Sequence, residues 1–195
     1  MDELQRIDSH LLFYSCCGQD LGALTAFIYG MRDREEVLNV MEETTGGRLI
    51  QNYYRIGGCQ DDIDVNLVEN VKKLCKYLKP KFKEYHDILS SNRIFMNRFK
   101  GVGVLSKEDA ISYGCTGGTG RATGWANDVR KHHPYAMYDK VEFDEITFTH
   151  GDSYDRYLVR MAELEQSVRI LEQLIDNIPE GDFYIKQKAV IRVPE

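Results

Sequence analysis

No stretch of the chain comes near the ~20 consecutive apolar residues that a membrane-spanning helix needs. The first residues include Asp2 and Glu3 and lack the basic segment followed by an apolar one that marks a secretory leader. Cysteine is scarce: Cys16, Cys17, Cys59, Cys75 and Cys115 make an odd number, and neighbours Cys16 and Cys17 do not easily bridge each other. That usage argues against a disulfide framework and predicts a reduced, cytoplasmic protein. There is no Cys-x-x-Cys, and no histidine stands at zinc-finger spacing from a cysteine pair. The cysteines are therefore expected to pack as small apolar side chains, and any redox cofactor to belong to a partner. Positive charge is also short. A net charge of −6 leaves no basic surplus for phosphates, which excludes wholesale nucleic-acid binding. Local basic clusters such as Arg130-Lys131-His132-His133 are too short to change that.

What the chain does have is helical periodicity. Leu4, Ile7, Leu11, Tyr14, Gly18, Leu21, Thr25 and Ile28 recur every three or four residues, which predicts a helix over residues 2–29. Ile63, Leu67, Val71, Leu74, Leu78, Phe82, Tyr85 and Leu89 predict a second over 61–89, ended or kinked at Pro80. Tyr154, Tyr157, Met161, Leu164, Val168, Leu171, Ile175 and Ile178 predict a third over 152–178. Asp152 or Ser153 can cap its start, and Pro179-Glu180-Gly181 stops it. A fourth helix is expected over 33–44, ending at Gly46-Gly47. Extended character is expected over 48–56 with a turn at Gly57-Gly58, imperfectly over 141–148, and more cleanly over 184–193. The fold class is mainly α (α+β): a helical bundle with a few short strands, in a chain whose 195 residues suit one domain.

Residues 101–138 break the pattern, being rich in glycine, polar and aromatic residues. A loop of that length in a compact domain is usually functional. Gly114, Gly117, Gly118, Gly120 and Gly124 crowd one part of it. No Gly-Lys-Ser/Thr follows, so it is not a P-loop, and Thr123 stands where a dinucleotide fingerprint needs its third glycine. The expected role is a backbone that passes close to another group, with Arg121 projecting from it. Asp20 is the carboxylate of most interest. Its helical neighbours Cys16, Cys17, Ala23 and Leu24 offer no countercharge. Asp20 must then face water, or find a cation or imidazole outside its own helix. Tyr53-Tyr54-Arg55-Ile56-Gly57-Gly58 reads as either a plain turn or an interface patch. His10, His132, His133 and His150 are paired with no Ser or Cys nucleophile, which leaves a hydrolase triad unsupported.

Taken together, the motifs are more specific. Arg6-x-x-Ser9-His10-Leu11-Leu12, Asp20-Leu21-Gly22-Ala23-Leu24-Thr25 and Arg32-x-Arg34-Glu35-Glu36 come first. Tyr53 to Gly58, Asn92-Arg93-Ile94-Phe95 and the Gly101-to-Ala110 run follow. Arg121-Ala122-Thr123-Gly124, Asp128-Val129-Arg130-Lys131-x-x-Pro134-Tyr135-x-x-Tyr138 and the run from Gly151 to Arg160 complete the series. In this order they resemble the D-type subunit of complex I, the respiratory NADH:quinone oxidoreductase, over nearly the whole chain. The resemblance implies the [NiFe]-hydrogenase large-subunit fold. It implies a single domain over 1–195, a central fragment lacking the family's N- and C-terminal parts.

The same resemblance implies a component of an ion-translocating quinone reductase, peripheral on the cytoplasmic side of the inner membrane. Its partners would be the subunit bearing the terminal iron–sulfur cluster, the C-type module of the complex and the membrane arm. Quinone would be the complex's substrate, and the chain would bind no cofactor itself. In the family a Tyr and a His contact the quinone headgroup and an Asp pairs with that His. The Asp position matches Asp20, while the segments bearing the Tyr and His fall before residue 1. Asp20 is thus the catalytic candidate, and Arg55, Arg121, Asp128 and Arg130 are candidates for the quinone site or a partner interface. Two alternatives stand beside this reading. One is the large subunit of an energy-converting [NiFe] hydrogenase or formate hydrogenlyase. The other is a scaffold that only docks partners.

Overall fold

The computed structural model describes residues 1–185. In chain order it contains α1 (Asp2–Asp20), α2 (Leu24–Thr45), the strands β1 (Tyr54–Arg55) and β2 (Gly58–Cys59), and α3 (Val65–Tyr85). Then come α4 (Arg93–Phe99), α5 (Lys107–Ser112), α6 (Gly117–Arg121), α7 (Val129–His132) and α8 (Ser153–Asp176). The expected mainly helical class is what is seen. α1 and α3 each pack on both α2 and α8, so the four long helices close around one core. Ile7, Leu11, Tyr14, Met41, Leu78, Tyr85, Met161 and Leu164 lie at its centre with almost no exposed surface.

The helix expected over 2–29 is two helices. Gly22 takes a left-handed φ of 82°, and the chain reverses between Asp20 and Leu24. The stripe misled because its last members fit the spacing but not the core: Thr25 is exposed and Ile28 is 52% exposed. The buried residues of α2 are Ala26, Gly30, Asp33, Val37, Leu38, Val40 and Met41 instead. This α2 absorbs the helix expected over 33–44 and ends, as expected, at Gly46. α3 continues through Pro80, where an end or kink was expected. Pro80 and Lys76 both face solvent, so the ring meets no packed neighbour and the freed carbonyl can be hydrated. The irregularity comes later, as a π-helical turn at His86–Ser90. α8 matches its expected span within two residues, with Asp152 accepting from the Asp155 amide as its N-cap.

The expected turn is there, one residue earlier: Ile56 and Gly57 join β1 to β2, and Gly58 already pairs with Arg55. Tyr184 bridges to Gly58, and the Ile185 amide donates to the Gly57 carbonyl at 2.9 Å. The rest of the strand expected over 184–193 lies outside the described residues. Residues 141–148 form no strand. Two of their amides are taken by glutamine side chains of α8, Glu142 N donating to Gln173 Oε1 at 2.8 Å and Asp144 N to Gln166 Oε1 at 2.9 Å, and Phe148 N donates to Arg121 O at 3.0 Å. The expected loop over 101–138 holds the short helices α5, α6 and α7. In its glycine-rich part the backbone does come close to α8, where a Cβ built on Gly118 would lie 3.4 Å from Val159 Cγ1, and the earlier residues 101–105 bind the start of α8. Leu105 N donates to Gly151 O at 2.9 Å, Ser153 N to Val102 O at 2.9 Å, and Gly101 N to Asp152 Oδ2 at 2.8 Å.

The α1–α2 hairpin is held close by small residues. A Cβ built on Gly18 would lie 2.8 Å from the Ala26 Cβ, and one on Gly30 would overlap Ser15 Oγ and sit 2.9 Å from Tyr14 Cδ1. Gly30→Ala should therefore overpack the hairpin and lower stability by about 1–3 kcal/mol. Urea denaturation followed by circular dichroism checks this, and an unchanged midpoint would contradict it.

Candidate functional site

α1 ends at Asp20 with no basic residue in its last turn. A carboxylate there sits at the negative end of the helix dipole, a locally unfavourable placement that suits a functional residue better than a structural one. Asp20 is exposed, so the water-facing alternative is the one observed. It makes no ion pair among the described residues. Asp20 lies on the wall of a cavity of about 380 Å³ between the end of α1 and the first turns of α8. Phe13, Leu21 and Phe99 supply apolar walls, and Cys17, Arg156 and Arg160 supply polar ones. Burial pushes the Cys17 thiol up to about 11, with the Asp20 charge adding to the effect, so the thiol stays protonated at neutral pH. Cys75 is buried in the core and half-buried Cys17 packs against that core, while Cys16 is exposed and Cys59 and Cys115 are intermediate, so core packing describes two of the five.

Behind the cavity lies a buried polar cluster. Glu163 on α8 accepts from His10 Nε2 on α1 at 2.7 Å and from Arg121 Nη2 on α6. Burial opposes ionisation of Glu163, but the His10 hydrogen bond and the Arg121 charge outweigh it and take its pKa down to about 2. Burial pushes the His10 imidazole below its ordinary value. At neutral pH the pair is thus a neutral imidazole donating to a carboxylate rather than a charged bridge. Arg121 does not project outward as expected; it is 4% exposed. Arg160 sits nearby with its guanidinium 4.5 Å from the Phe13 ring centroid. Burial lowers its pKa; Glu163 opposes that, while Arg156 and Arg121 add to it.

Asp128 and Arg130 fall in a second buried cluster with Glu3. Arg130 Nη2 reaches Asp128 Oδ2 at 2.7 Å, and its Nη1 reaches Glu3 Oε1 at 3.0 Å. Ser167 Oγ and Tyr138 OH also donate to Glu3. Burial works against ionised Glu3 and Asp128, but Arg6 and Arg130 for the first, and Arg130 for the second, hold both below the usual carboxylate range. Arg55 is elsewhere again, exposed on the hairpin and donating to Gln60 Oε1 at 3.0 Å. The five candidates therefore do not form one site. Asp20 lies at the cavity, Arg121 lies behind it, Asp128 and Arg130 tie α7 to α1, and Arg55 stands on the surface. Sequence reasoning missed Glu163, Arg156 and Arg160. Arg156 and Arg160 lay inside the Gly151-to-Arg160 run that carries the resemblance but were not singled out within it, and Glu163 had no signal beyond its place on a helix. Among the described residues no group of three or more His, Cys, Asp or Glu could hold a metal ion.

Comparison with known proteins shows the family of the chain. Residues 20–195 match the family described as respiratory-chain NADH dehydrogenase, 49 Kd subunit. The C/D-type subunit of the NADH-quinone oxidoreductase of Phocaeicola vulgatus is 64% identical over 195 residues, covering 100% of this chain and 38% of that protein. The D-type subunit of the NADH-quinone oxidoreductase of Bacillus cytotoxicus is 42% identical over 194 residues, covering 99% of this chain and 53% of that one. The chain thus spans about half or less of the length of these relatives. Among solved structures, a chain of the membrane-bound sulfane sulfur reductase, an archaeal respiratory membrane complex, superposes with a TM-score of 0.92 at 34% identity. That match covers 98% of this chain and 52% of the other.

Proposed function

The chain belongs to the 49 kDa subunit family of the respiratory-chain NADH dehydrogenase, and we propose that it forms part of the wall of a quinone-reducing site. The observation that carries this reading is Asp20, held at the α1–α2 turn on a cavity wall with no ion pair of its own among the described residues. In the complex, electrons arrive from the iron–sulfur cluster of a partner. The quinone takes up two electrons and two protons to leave as the quinol. Asp20 pairs with an imidazole supplied from outside this chain, fixing its tautomer and supporting its charged form. The protein sits peripherally on the cytoplasmic face of the inner membrane, beside the cluster-bearing partner and the membrane arm. No described helix is long and apolar enough to cross a membrane. Relatives in which C-type and D-type parts share one name support the C-type module as a neighbour.

Asp20→Asn in the whole complex should lower quinone reduction by roughly ten-fold or more, the usual cost of losing a group that orients an imidazole. NADH oxidation by artificial acceptors, which bypass the quinone, should persist. Unchanged quinone turnover would sink the reading. The fold likeness to a sulfane sulfur reductase offers sulfur reduction as a second reading. The 64% identity to a relative named as a quinone oxidoreductase, against 34% for that structure, favours the first.

A further inference from the structure

Arg160 is a half-buried guanidinium that borders the Asp20 cavity and has no carboxylate within ion-pair distance among the described residues. Its one hydrogen bond there is from Nη1 to the Arg156 carbonyl, at 2.7 Å. The acids of α8 that could have neutralised it are committed elsewhere, and Asp20, on the same cavity wall, makes no ion pair with it. Both oxygens of Glu163, three residues along α8, are taken by His10 and Arg121. Asp155 Oδ2 accepts from the His150 amide and ring, and Asp152 accepts from Gly101 N and Asp155 N. Arg156, one turn away, is held by the neutral acceptors Gly151 O, Gly103 O and Ser153 Oγ. Two like charges at i,i+4 repel, and a desolvated cation without an anion is costly. The fold nevertheless fixes Arg160 in place, stacked on Phe13 on one side and approached by the Gly118 backbone of α6 on the other.

We propose that Arg160 is a binding residue for the ring oxygens of the acceptor in this cavity, with Arg156 keeping the local field positive. The inference rests on the quinone reading of the same cavity. A guanidinium is planar, permanently charged and rich in donors, so held over Phe13 it can still offer N–H groups to an oxygen acceptor. Phe13, Leu21 and Phe99 provide apolar surface for a ring, and Arg160 and Asp20 stand as a donor and an acceptor on the same cavity wall. An arriving oxygen would give the unpaired cation the hydrogen-bond partner it lacks, and would gain a charge-assisted bond in return. Glu163 is the positioning residue of the set: by engaging His10 and Arg121 it leaves Arg160 free for the ligand.

The test uses the assembled complex carrying Arg160→Met, Arg160→Lys or Asp20→Asn, with quinone KM and kcat measured beside artificial-acceptor activity and the amount of assembled complex. Arg160→Met should raise the quinone KM by on the order of ten-fold, the worth of a hydrogen bond to a charged group, with assembly intact. Arg160→Lys should recover part of that loss by keeping the charge. A wild-type KM in Arg160→Met, with Asp20→Asn still impaired, overturns the inference and leaves the quinone reading standing. Normal quinone turnover in Asp20→Asn removes the reading itself. If Arg160→Met fails to assemble, Arg160→Lys decides: a raised KM supports the binding role, and a wild-type KM assigns Arg160 to packing on Phe13 alone.

Discussion

Glu163→Gln is expected to destabilise the chain by about 3–5 kcal/mol, because it removes the anion from a buried cluster and leaves the cation behind. The Glu163 side chain is 3% exposed and that of Arg121 is 5% exposed. Arg121 cannot shed its charge, and its Nε already lacks a hydrogen-bond partner among the described residues. Glutamine keeps the shape and can still bond to His10 and Arg121, so the loss reads out charge and not a cavity. Arg121→Met alone should cost less, since burial could then neutralise Glu163. Combining the two changes should recover much of the Glu163→Gln loss.

The pH dependence separates charge from packing. His10 has its folded pKa below its ordinary 6.5, so it contributes stability that is full above that value and lost as acid charges the unfolded imidazole. Glu163, ordinarily near 4.5, is held down to about 2, so its contribution is present above about 4.5 and lost as pH falls from there toward 2. Wild type should therefore weaken in two steps on acidification, and Glu163→Gln should lack the lower part contributed by this group. Urea midpoints at pH 7, 5.5, 4 and 3 check it. Parallel acid limbs in the two proteins would show that Glu163 is not held ionised by the cluster.

What periodicity can encode sets how much of the fold is legible in the sequence. The α8 stripe from Tyr154 to Leu171 was legible because those residues share one core, and its cap was legible because Asp152 stands where an N-cap must. The reversal at Gly22 was not, since a three-four spacing does not show that the chain has turned and begun a new face. Residues 141–148 alternate as a strand does, yet Gln166 and Gln173 of α8 take the amides of Asp144 and Glu142, a pairing between distant segments that no local pattern announces.

The site divides in the same way. Asp20 stood out because its own helix offers it nothing, and the structure leaves it on a cavity wall without an ion pair among the described residues. Arg121 stood out for its glycine setting, which predicted projection; the glycines instead let α6 press on α8, and that buries Arg121 against Glu163. The unpaired state of Arg160 was illegible. It depends on where the acids of α8 find partners, and those partners come from α1, α6 and the loop ahead of α8.

Arg130→Met should be as damaging as Glu163→Gln, about 3–5 kcal/mol at neutral pH, for the reciprocal reason: a cation leaves and two anions stay. Arg130 is 2% exposed, Glu3 2% and Asp128 3%. Its guanidinium joins the first turn of α1 to the N-cap of α7, and Ser167 of α8 closes on the same Glu3 carboxylate. Methionine approximates the aliphatic stem, so most of the loss comes from charge. In the wild type the arginines hold Glu3 and Asp128 below the usual carboxylate range, so both contribute stability above that range that is lost on acidification. Without Arg130 burial dominates and pushes both carboxyls up. The variant should then regain ground on wild type as pH drops through the carboxylate range, where protonation relieves the uncompensated charge. Glu3→Gln placed on Arg130→Met should relieve part of the loss at pH 7 by the same route. A difference between wild type and Arg130→Met that holds constant from pH 7 to pH 4 would mean that Arg130 serves by packing, against Phe143, whose ring centroid lies 4.7 Å from its guanidinium.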